Sequence, residues 1–356
     1  MRFMVVPCDG IGPEITAATM ETLRAVDQRF GLGLTCDYED AGFASLEKHG
    51  VTLRQDTLER ARAYDGVILG PQSHMDYPPL EKGGRNVSAG FRVGLDLYAN
   101  VRPARSRDFL DKGAKGMDLV IMREATEGFY PDRNMHKGLG EFMPTPDVAL
   151  SVRKITAQAC ERIAREAFKL AARRRKKVTA VHKANNFILT DGLFLDQVRL
   201  VARDFPEVAL DEMIVDAMAA HIVRDPARWD VIVTTNFYAD ILSDLASELS
   251  GSLGLAGSIN ANAETGLVCA QAQHGSAPDI QGQNIANPTS LLLSVAMMLQ
   301  WLGERRGDAR LLGAGDVMTR AVDVALADPS SRTRDLGGTM NTDAFGRAVT
   351  EKAKSI

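Results

Sequence analysis

Apolar residues along the chain fall into two patterns: short unbroken runs, and longer stretches in which they recur every three or four positions. RFMVVP (2–7), YDGVILG (64–70), MDLVIM (117–122), VTAVHK (178–183) and WDVIVTTN (229–236) are runs of the first kind. Short apolar runs bounded by glycine or polar residues predict strands buried on both faces. The second pattern predicts helices at ITAATMETLRAV (15–26) and at roughly 153–175, 191–204, 239–249, 288–303 and 316–327. Pro13 stands in the first turn of the first helix, where its missing N–H does no harm. Strands and helices alternate throughout, which predicts an α/β protein. No repeat or low-complexity segment interrupts them. Gly70 to Gly90, rich in glycine and proline, is the longest irregular stretch, and long ordered loops are often functional.

Composition narrows the classes. With 356 residues, 45% of them hydrophobic and 25% charged, the chain can bury a large core and form two lobes. A net charge of −4 gives no global attraction to nucleic acid or acidic membranes. The one basic run, Arg173 to Lys177, closes a helical segment and reads as a solvated helix end. Cys8, Cys36, Cys160 and Cys269 have no paired spacing, so neither a zinc site nor a disulfide framework is expected and a reduced, cytoplasmic setting is. The first residues form a strand and a glycine turn, without the features of a signal peptide. SLLLSVAMMLQWL (290–302) is too short to span a bilayer. The glycosylation pattern at Asn86-Val87-Ser88 carries no weight without secretion.

Candidate chemistry begins with carboxylates. ADILSDLASELSG (239–251) reads as a helix with Ile241, Leu242, Leu245 and Leu249 turned inward. Asp240 and Asp244, four apart, then share a face and can reach one cation. Asp216, after the apolar Met213 to Val215, offers a third oxygen. Carboxylates with water suit a hard ion such as Mg²⁺. With Arg123, Tyr130 and Lys183 these aspartates outline a metal-assisted site, although an isolated D-x-x-x-D is usually two solvated acids. A metal-dependent phosphate-handling enzyme would use the same aspartates. No G-x-G-x-x-G follows the first strand, so glycines do not argue for a standard dinucleotide fold.

Seven segments in order resemble the β-decarboxylating dehydrogenases, the family of isocitrate, 3-isopropylmalate, homoisocitrate and tartrate/D-malate dehydrogenases. They are DGIGPEI (9–15), LDLYANVRPARS (95–106), DLVIMREATEGFY (118–130), VHKANN (181–186), DVIVTTNFYADILSDLASELSGSLGLAGS (230–258), HGSAPDIQGQNIANP (274–288) and RTRDLGGTMNTDAFG (332–346). The resemblance spans essentially the whole chain. It implies substrates that are malates substituted at C3, with two carboxylates beside a secondary alcohol. Arg92, Arg102 and Arg123 match the arginines that grip those carboxylates, a task suited to the guanidinium fork. Asp240, Asp244 and the partner subunit's Asp216 would hold Mg²⁺ or Mn²⁺ in its Lewis-acid role. Lys183, also serving across the subunit boundary, matches the lysine that helps remove the hydroxyl proton; nearby positive groups suit such a base. Tyr130 matches the tyrosine that protonates the enolate left by decarboxylation.

The same resemblance assigns the cofactor to His274, Gly275, Ser276, Ala277, Pro278, Asp279 and Ile280, with Asn287, a loop that cradles adenosine in place of a glycine fingerprint. Asp279 can accept hydrogen bonds from both ribose hydroxyls of NAD and would repel the extra phosphate of NADP. NADP-dependent relatives carry lysine and tyrosine where this chain has Asp279 and Ile280. Asn185 resembles a residue near the nicotinamide ribose. Substrate choice falls to the stretch before LDLY. Isopropylmalate enzymes have leucines where Ser88 and Ala89 stand; isocitrate enzymes have serine and asparagine where this chain has Asn86 and Ser88, the same types exchanged. If that stretch is helical, Ser88 and Arg92 share a face and can hydrogen-bond a distal carboxylate. Departures surround the site: PQSHMDYPP (71–79) replaces a glycine-rich turn and brings His74, Asp76 and Tyr77 toward the substrate side, Ala125 and Ala239 replace a polar residue and a glycine, Gln271 stands where many relatives have glutamate, and Cys8 replaces a glycine.

The fold implied is that of the isocitrate/isopropylmalate dehydrogenases: α/β, two lobes sharing a continuous mixed sheet. Residues 1–100 plus 257–356 would form the large, cofactor-binding lobe, and 101–256 the small lobe with the dimer interface and the metal and catalytic residues. The expected activity is NAD-dependent oxidative decarboxylation of a 3-substituted malate of isocitrate/homoisocitrate or 3-isopropylmalate type, in a homodimer or higher homo-oligomer without nucleic acid or membrane partners. A tartrate/D-malate-type enzyme is the alternative. A non-catalytic regulatory subunit is another, but it predicts loss of the tyrosine, the lysine or a metal aspartate, and all are present.

Overall fold

A computed structural model describes residues 1–356. The chain divides into two compact units, one comprising 1–95, 109–111 and 252–356, the other 96–108 and 112–251. The first opens with β1 (Arg2–Val6), α1 (Gly12–Phe30), β2 (Thr35–Tyr38), α2 (Phe43–His49), α3 (Gln55–Ala61), β3 (Gly66–Leu69) and α4 (Val87–Gly94). The second holds β4 (Ala99–Arg105), β5 (Asp118–Glu124), β6 (Glu141–Thr145), β7 (Val148–Ser151), α5 (Ala157–Ala172), β8 (Lys177–His182), α6 (Thr190–Ala202), β9 (Ala209–Ile214), α7 (Val215–Arg224), β10 (Val231–Thr234) and α8 (Asn236–Leu249). The chain completes the first unit with β11 (Ile259–Ala261), β12 (Val268–Gln271), α9 (Thr289–Arg306), α10 (Ala309–Ala327) and α11 (Thr342–Ser355).

In the first unit the strand order is β2-β1-β3-β12-β11, parallel except for β11 against β12. Every residue of β3 is buried, as the unbroken run GVIL requires of a strand covered on both faces. The apolar segment at 290–302 lies within α9, which packs against α10 and β12 with most of its residues buried. No helix is long and apolar enough to cross a membrane. In the second unit the order is β4-β5-β10-β8-β9, with β4 antiparallel to β5 and the rest parallel. Its core includes Trp229, Ile232, Leu242 and Met218, between the strands and the α7 and α8 helices. The chain is thus a mixed α/β protein.

The basic run is spent on structure. Arg174 binds Asp230 at 2.8 Å and Asp118 at 2.9 Å, and Arg175 donates to backbone carbonyls of Ala227 and Asp118. One inward assignment is corrected: Ile241 is 55% exposed. Beside Leu242, the inner face of α8 is carried by Ala239, Ser243, Ala246 and Ser247, small residues that a search for large apolar ones passes over. α4 also begins within the stretch expected to be irregular. The β6–β7 hairpin has no counterpart among the strands that the apolar runs predict, and every one of its residues is exposed, Phe142, Met143, Val148 and Leu150 included.

Candidate active site

In the second unit, β4 and β5 each present one buried arginine, Arg102 and Arg123, and α8 presents Asp240 and Asp244 on successive turns. Arg102 Nη1 donates to Ser243 Oγ at 2.7 Å and lies 3.2 Å from Asp240 Oδ1 and 3.5 Å from Asp244 Oδ1. Its Nε donates to Asn100 Oδ1 at 2.7 Å. Arg123 donates from Nε to Asn236 Oδ1 at 2.8 Å and from Nη1 to Asp240 Oδ1. Tyr130 donates its hydroxyl proton to Asp240 Oδ2, and its ring lies under Arg123 and Arg133. Burial pulls Arg102 down to about 10, with the neighbouring Arg123 acting in the same direction and the two aspartates opposing. Burial raises the Tyr130 phenol; Arg123 opposes this and Asp240 reinforces it.

This geometry tests the donor set for a divalent ion. Asp240 and Asp244 converge on a single cationic atom, Arg102 Nη1, so oxygens from both are aimed at one positive centre. Two carboxylates so placed fit a hard cation. Asp216 does not join them: the chain contains no cluster of three acidic, histidine or cysteine side chains arranged for a metal. It lies in the first turn of α7, largely exposed, and pairs with Lys183 Nζ at 2.5 Å, which lowers its carboxyl below the usual range. Lys183 follows β8, and its backbone N–H donates to Asp191 Oδ2 at 2.5 Å. Asp191, fully buried, pairs with Arg153 Nη1 at 2.5 Å, and that guanidinium is enclosed by the rings of Phe129, Phe187 and Tyr238. Asn185 is exposed and donates only to its neighbour Asn186.

In the first unit, α4 places Ser88 and Arg92 one turn apart, and both reach Gln271 Oε1, at 3.1 and 3.4 Å. Asn86 sits at the helix start, where its Oδ1 accepts the Ala89 N–H at 3.0 Å and caps α4. Tyr77, in the atypical loop, donates to the buried carboxylate of Asp9, which also accepts the N–H groups of Phe43 and Ser73. His74 and Asp76 are exposed.

The turn after β1 packs on the 274–280 loop. Ile11 N–H donates to Ser276 O at 2.9 Å, and a Cβ on Gly10, at φ +57°, would lie 2.0 Å from that oxygen, so only glycine fits. A cavity of about 360 Å³ is lined by Ile11, His274, Gly275, Ile280, Asn287 and Asp335, among others. Nε2 of His274 is buried there without a hydrogen-bond partner, and burial lowers the imidazole below its ordinary value, favouring the neutral form. Buried polar nitrogens are rarely left unpaired, so this one fits a ligand's polar group. Ala277 takes a left-handed turn at φ +42°, Pro278 opens a short 3-10 turn, and Asp279 is exposed on it. Asn287 is held by Asp335 at 3.0 Å. An adenosine-sized group is compatible with these residues.

Sequence reading missed the residues that hold the arginines, Asn100, Asn236, Ser243 and Asn260. Only Ser243, three residues after Asp240 on one helix, left a positional signal.

Paired arginines, a carboxylate pair and a cofactor-sized cavity on α/β units suit an oxidoreductase of the dehydrogenase class. Comparison with known proteins agrees: the family model described as isocitrate/isopropylmalate dehydrogenase matches residues 2–349. The isocitrate/homoisocitrate dehydrogenase of Thermus thermophilus is 42% identical, with 100% of this chain and 99% of the relative covered. The 3-isopropylmalate dehydrogenase of Archaeoglobus fulgidus is 40% identical, with 98% of each covered. The crystal structure of isocitrate dehydrogenase from Methylococcus capsulatus superposes with a TM-score of 0.87 at 38% identity, covering 99% of both chains. The chain belongs to the isocitrate/isopropylmalate dehydrogenase family, the β-decarboxylating dehydrogenases.

Proposed function

We propose that the chain oxidises and decarboxylates a 3-substituted malate, of isocitrate/homoisocitrate or 3-isopropylmalate type, to a 2-oxo acid and CO₂, using NAD and Mg²⁺ or Mn²⁺. The observation that carries this reading is the convergence of Arg102, Arg123 and Tyr130 on Asp240. Two guanidiniums and a phenol around one carboxylate can bind a carboxylate substrate and deliver a proton beside it. Arg102 and Arg123 are fixed through Nε by Asn100 and Asn236, and their Nη groups, which in the structure meet Asp240, would turn to the substrate carboxylates. Asp240 and Asp244, with the partner subunit's Asp216, would hold the divalent ion, which when bound supplies Lewis acidity at the substrate oxygens. NAD would lie along the 274–280 loop and supply the hydride acceptor, with Asp279 meeting the ribose hydroxyls.

Lys183 takes the proton of the substrate hydroxyl as the C2 hydride leaves. The C3 carboxylate then departs as CO₂, its bonding electrons forming the enol system. Tyr130 returns a proton to C3, and its raised phenol stays protonated until that moment. Arg153 and Asp191 fix the backbone at Lys183, so the base is mounted on a buried, rigid support. The working form is a homodimer in which Lys183 and Asp216 serve the neighbouring copy. The apolar, exposed β6–β7 hairpin supports a second copy as its cover.

NADH formation with Mn²⁺ across isocitrate, homoisocitrate, 3-isopropylmalate, D-malate and tartrate tests the reading. Turnover of at least one with NAD, abolished by a chelator, is expected. Silence on all five, with NAD still bound, would sink it.

A further inference from the structure

In the first unit the turn after β1, the loop 71–79 after β3 and the 274–280 loop are tied to one another. The first two meet at Asp9, which is 5% exposed and satisfied by uncharged donors. Its Oδ1 accepts the Phe43 N–H at 2.8 Å; its Oδ2 accepts the Ser73 N–H at 3.1 Å and the Tyr77 hydroxyl. The Asp9 N–H in turn donates to Pro71 O at 3.0 Å. The second and third meet at a buried pair of hydroxyls, Ser73 Oγ and Ser276 Oγ, 2.7 Å apart. Ser276 is therefore held twice, through its side chain by Ser73 and through its carbonyl by the Ile11 N–H. The residue after it, Ala277, is left-handed, a conformation that a residue with a Cβ keeps only where its surroundings fix it. Burial first, and then Asp9, raise the Tyr77 phenol above its ordinary value and keep it a donor.

We propose that Tyr77 is a positioning residue for the cofactor: its bond to Asp9 seats the 71–79 loop, the loop presents Ser73 to Ser276, and Ser276 sets the 274–280 loop for the adenosine end of NAD. The proposal rests on the dehydrogenase reading above. A bond from a phenol to a buried carboxylate is charge-assisted, and so stronger than one between neutral groups. Without it Asp9 Oδ2 keeps only the Ser73 N–H, the loop loosens, and Ser276 Oγ loses its partner. Fewer molecules then hold the cofactor loop in its binding shape, and apparent affinity falls by that fraction. Molecules that have bound NAD react as before. Tyr77→Phe removes the hydroxyl alone, because the ring keeps its edge-on packing with Phe43, 5.2 Å between centroids.

The test measures Kd for NAD by fluorescence titration, and kcat at saturating NAD, in the wild type, Tyr77→Phe, Ser73→Ala and the double variant. Tyr77→Phe raises Kd about tenfold and leaves kcat within about twofold. Ser73→Ala raises Kd by at least as much. Added to Ser73→Ala, Tyr77→Phe raises Kd by less than about a further twofold, because the link it supports is already gone. If Ser73→Ala fails to fold, Ser276→Ala breaks the same pair from the other side and serves as the background. With NAD bound by the wild type, an unchanged Kd in Tyr77→Phe, effects that multiply in the double variant, or a fall in kcat with Kd kept overturns the proposal. A wild type that binds no NAD overturns the dehydrogenase reading, and this proposal with it.

Discussion

Glu127 lies between Arg123 and Tyr130 in sequence and is 3% exposed. Burial lifts its carboxyl from an ordinary 4.5 to about 7; the Thr156 N–H, donating at 2.7 Å, opposes the rise and the nearby Glu124 adds to it. In the unfolded chain the group titrates near its ordinary value, so the folded protein holds this proton more tightly. The stability it contributes is fully present below pH 4.5 and is lost as pH rises through about 7. At about 1.4 kcal/mol per decade, the interval amounts to about 3 kcal/mol. Glu127→Gln keeps the shape and an acceptor for Thr156 but cannot ionise. Wild type and variant should be about equally stable near pH 5, and by pH 8 the variant should gain about 3 kcal/mol, about 4 °C in Tm for a chain of this length. Calorimetric Tm measured across that range decides it. Parallel curves, or a variant less stable at the alkaline end, would refute the assignment. The site is coupled to this carboxyl only through backbone: Glu127 O accepts from Asn236 Nδ2, and Asn236 orients Arg123.

Three substitutions probe the chemistry directly. Lys183→Met should abolish NADH formation while NAD binding, read by fluorescence titration, is largely kept; retained turnover would remove Lys183 from the proton step. Tyr130→Phe should spare the first-turnover burst of NADH but slow the steady state by about 100-fold, and an unslowed steady state would exclude the phenol as proton donor. Asp279→Lys should shift the NADP-to-NAD ratio of kcat/KM upward by about tenfold or more. An unchanged ratio would take Asp279 out of cofactor choice.

Periodicity finds β1, β3, β5, β8 and β10 and most of the longer helices because their apolar residues are large and regularly spaced, but it passes over the short buried β11 and β12 and the final helix α11. It misplaces Ile241 because α8 buries alanines and serines, which carry little hydrophobic signal. It misses β4, whose ANVRPAR mixes charge and proline because Arg102 itself is buried in the strand. It also misses β6 and β7, which bury nothing within the chain. At the site, Asp240 with Asp244 and Ser88 with Arg92 are legible because helical spacing is local. Asn100, Asn236 and Asn260 are not: each acts on an arginine through contacts that exist only after folding. The placing of Asp216 beside Lys183, apart from Asp240 and Asp244, is likewise a tertiary fact. The family resemblance supplies roles that spacing alone does not.

The first unit is assembled from both ends of the chain, and this has a consequence during synthesis. β3 ends at Leu69, yet its parallel neighbour β12 begins at Val268. Translating at about 5–20 residues per second, a ribosome takes roughly 10–40 s to supply that neighbour. Meanwhile residues 112–251 emerge as one continuous stretch able to close most of the second unit. GVIL must therefore wait as an unpaired apolar edge, an invitation to aggregation. Heat or chaperone scarcity should injure newly made chains through that interval long before it unfolds finished ones.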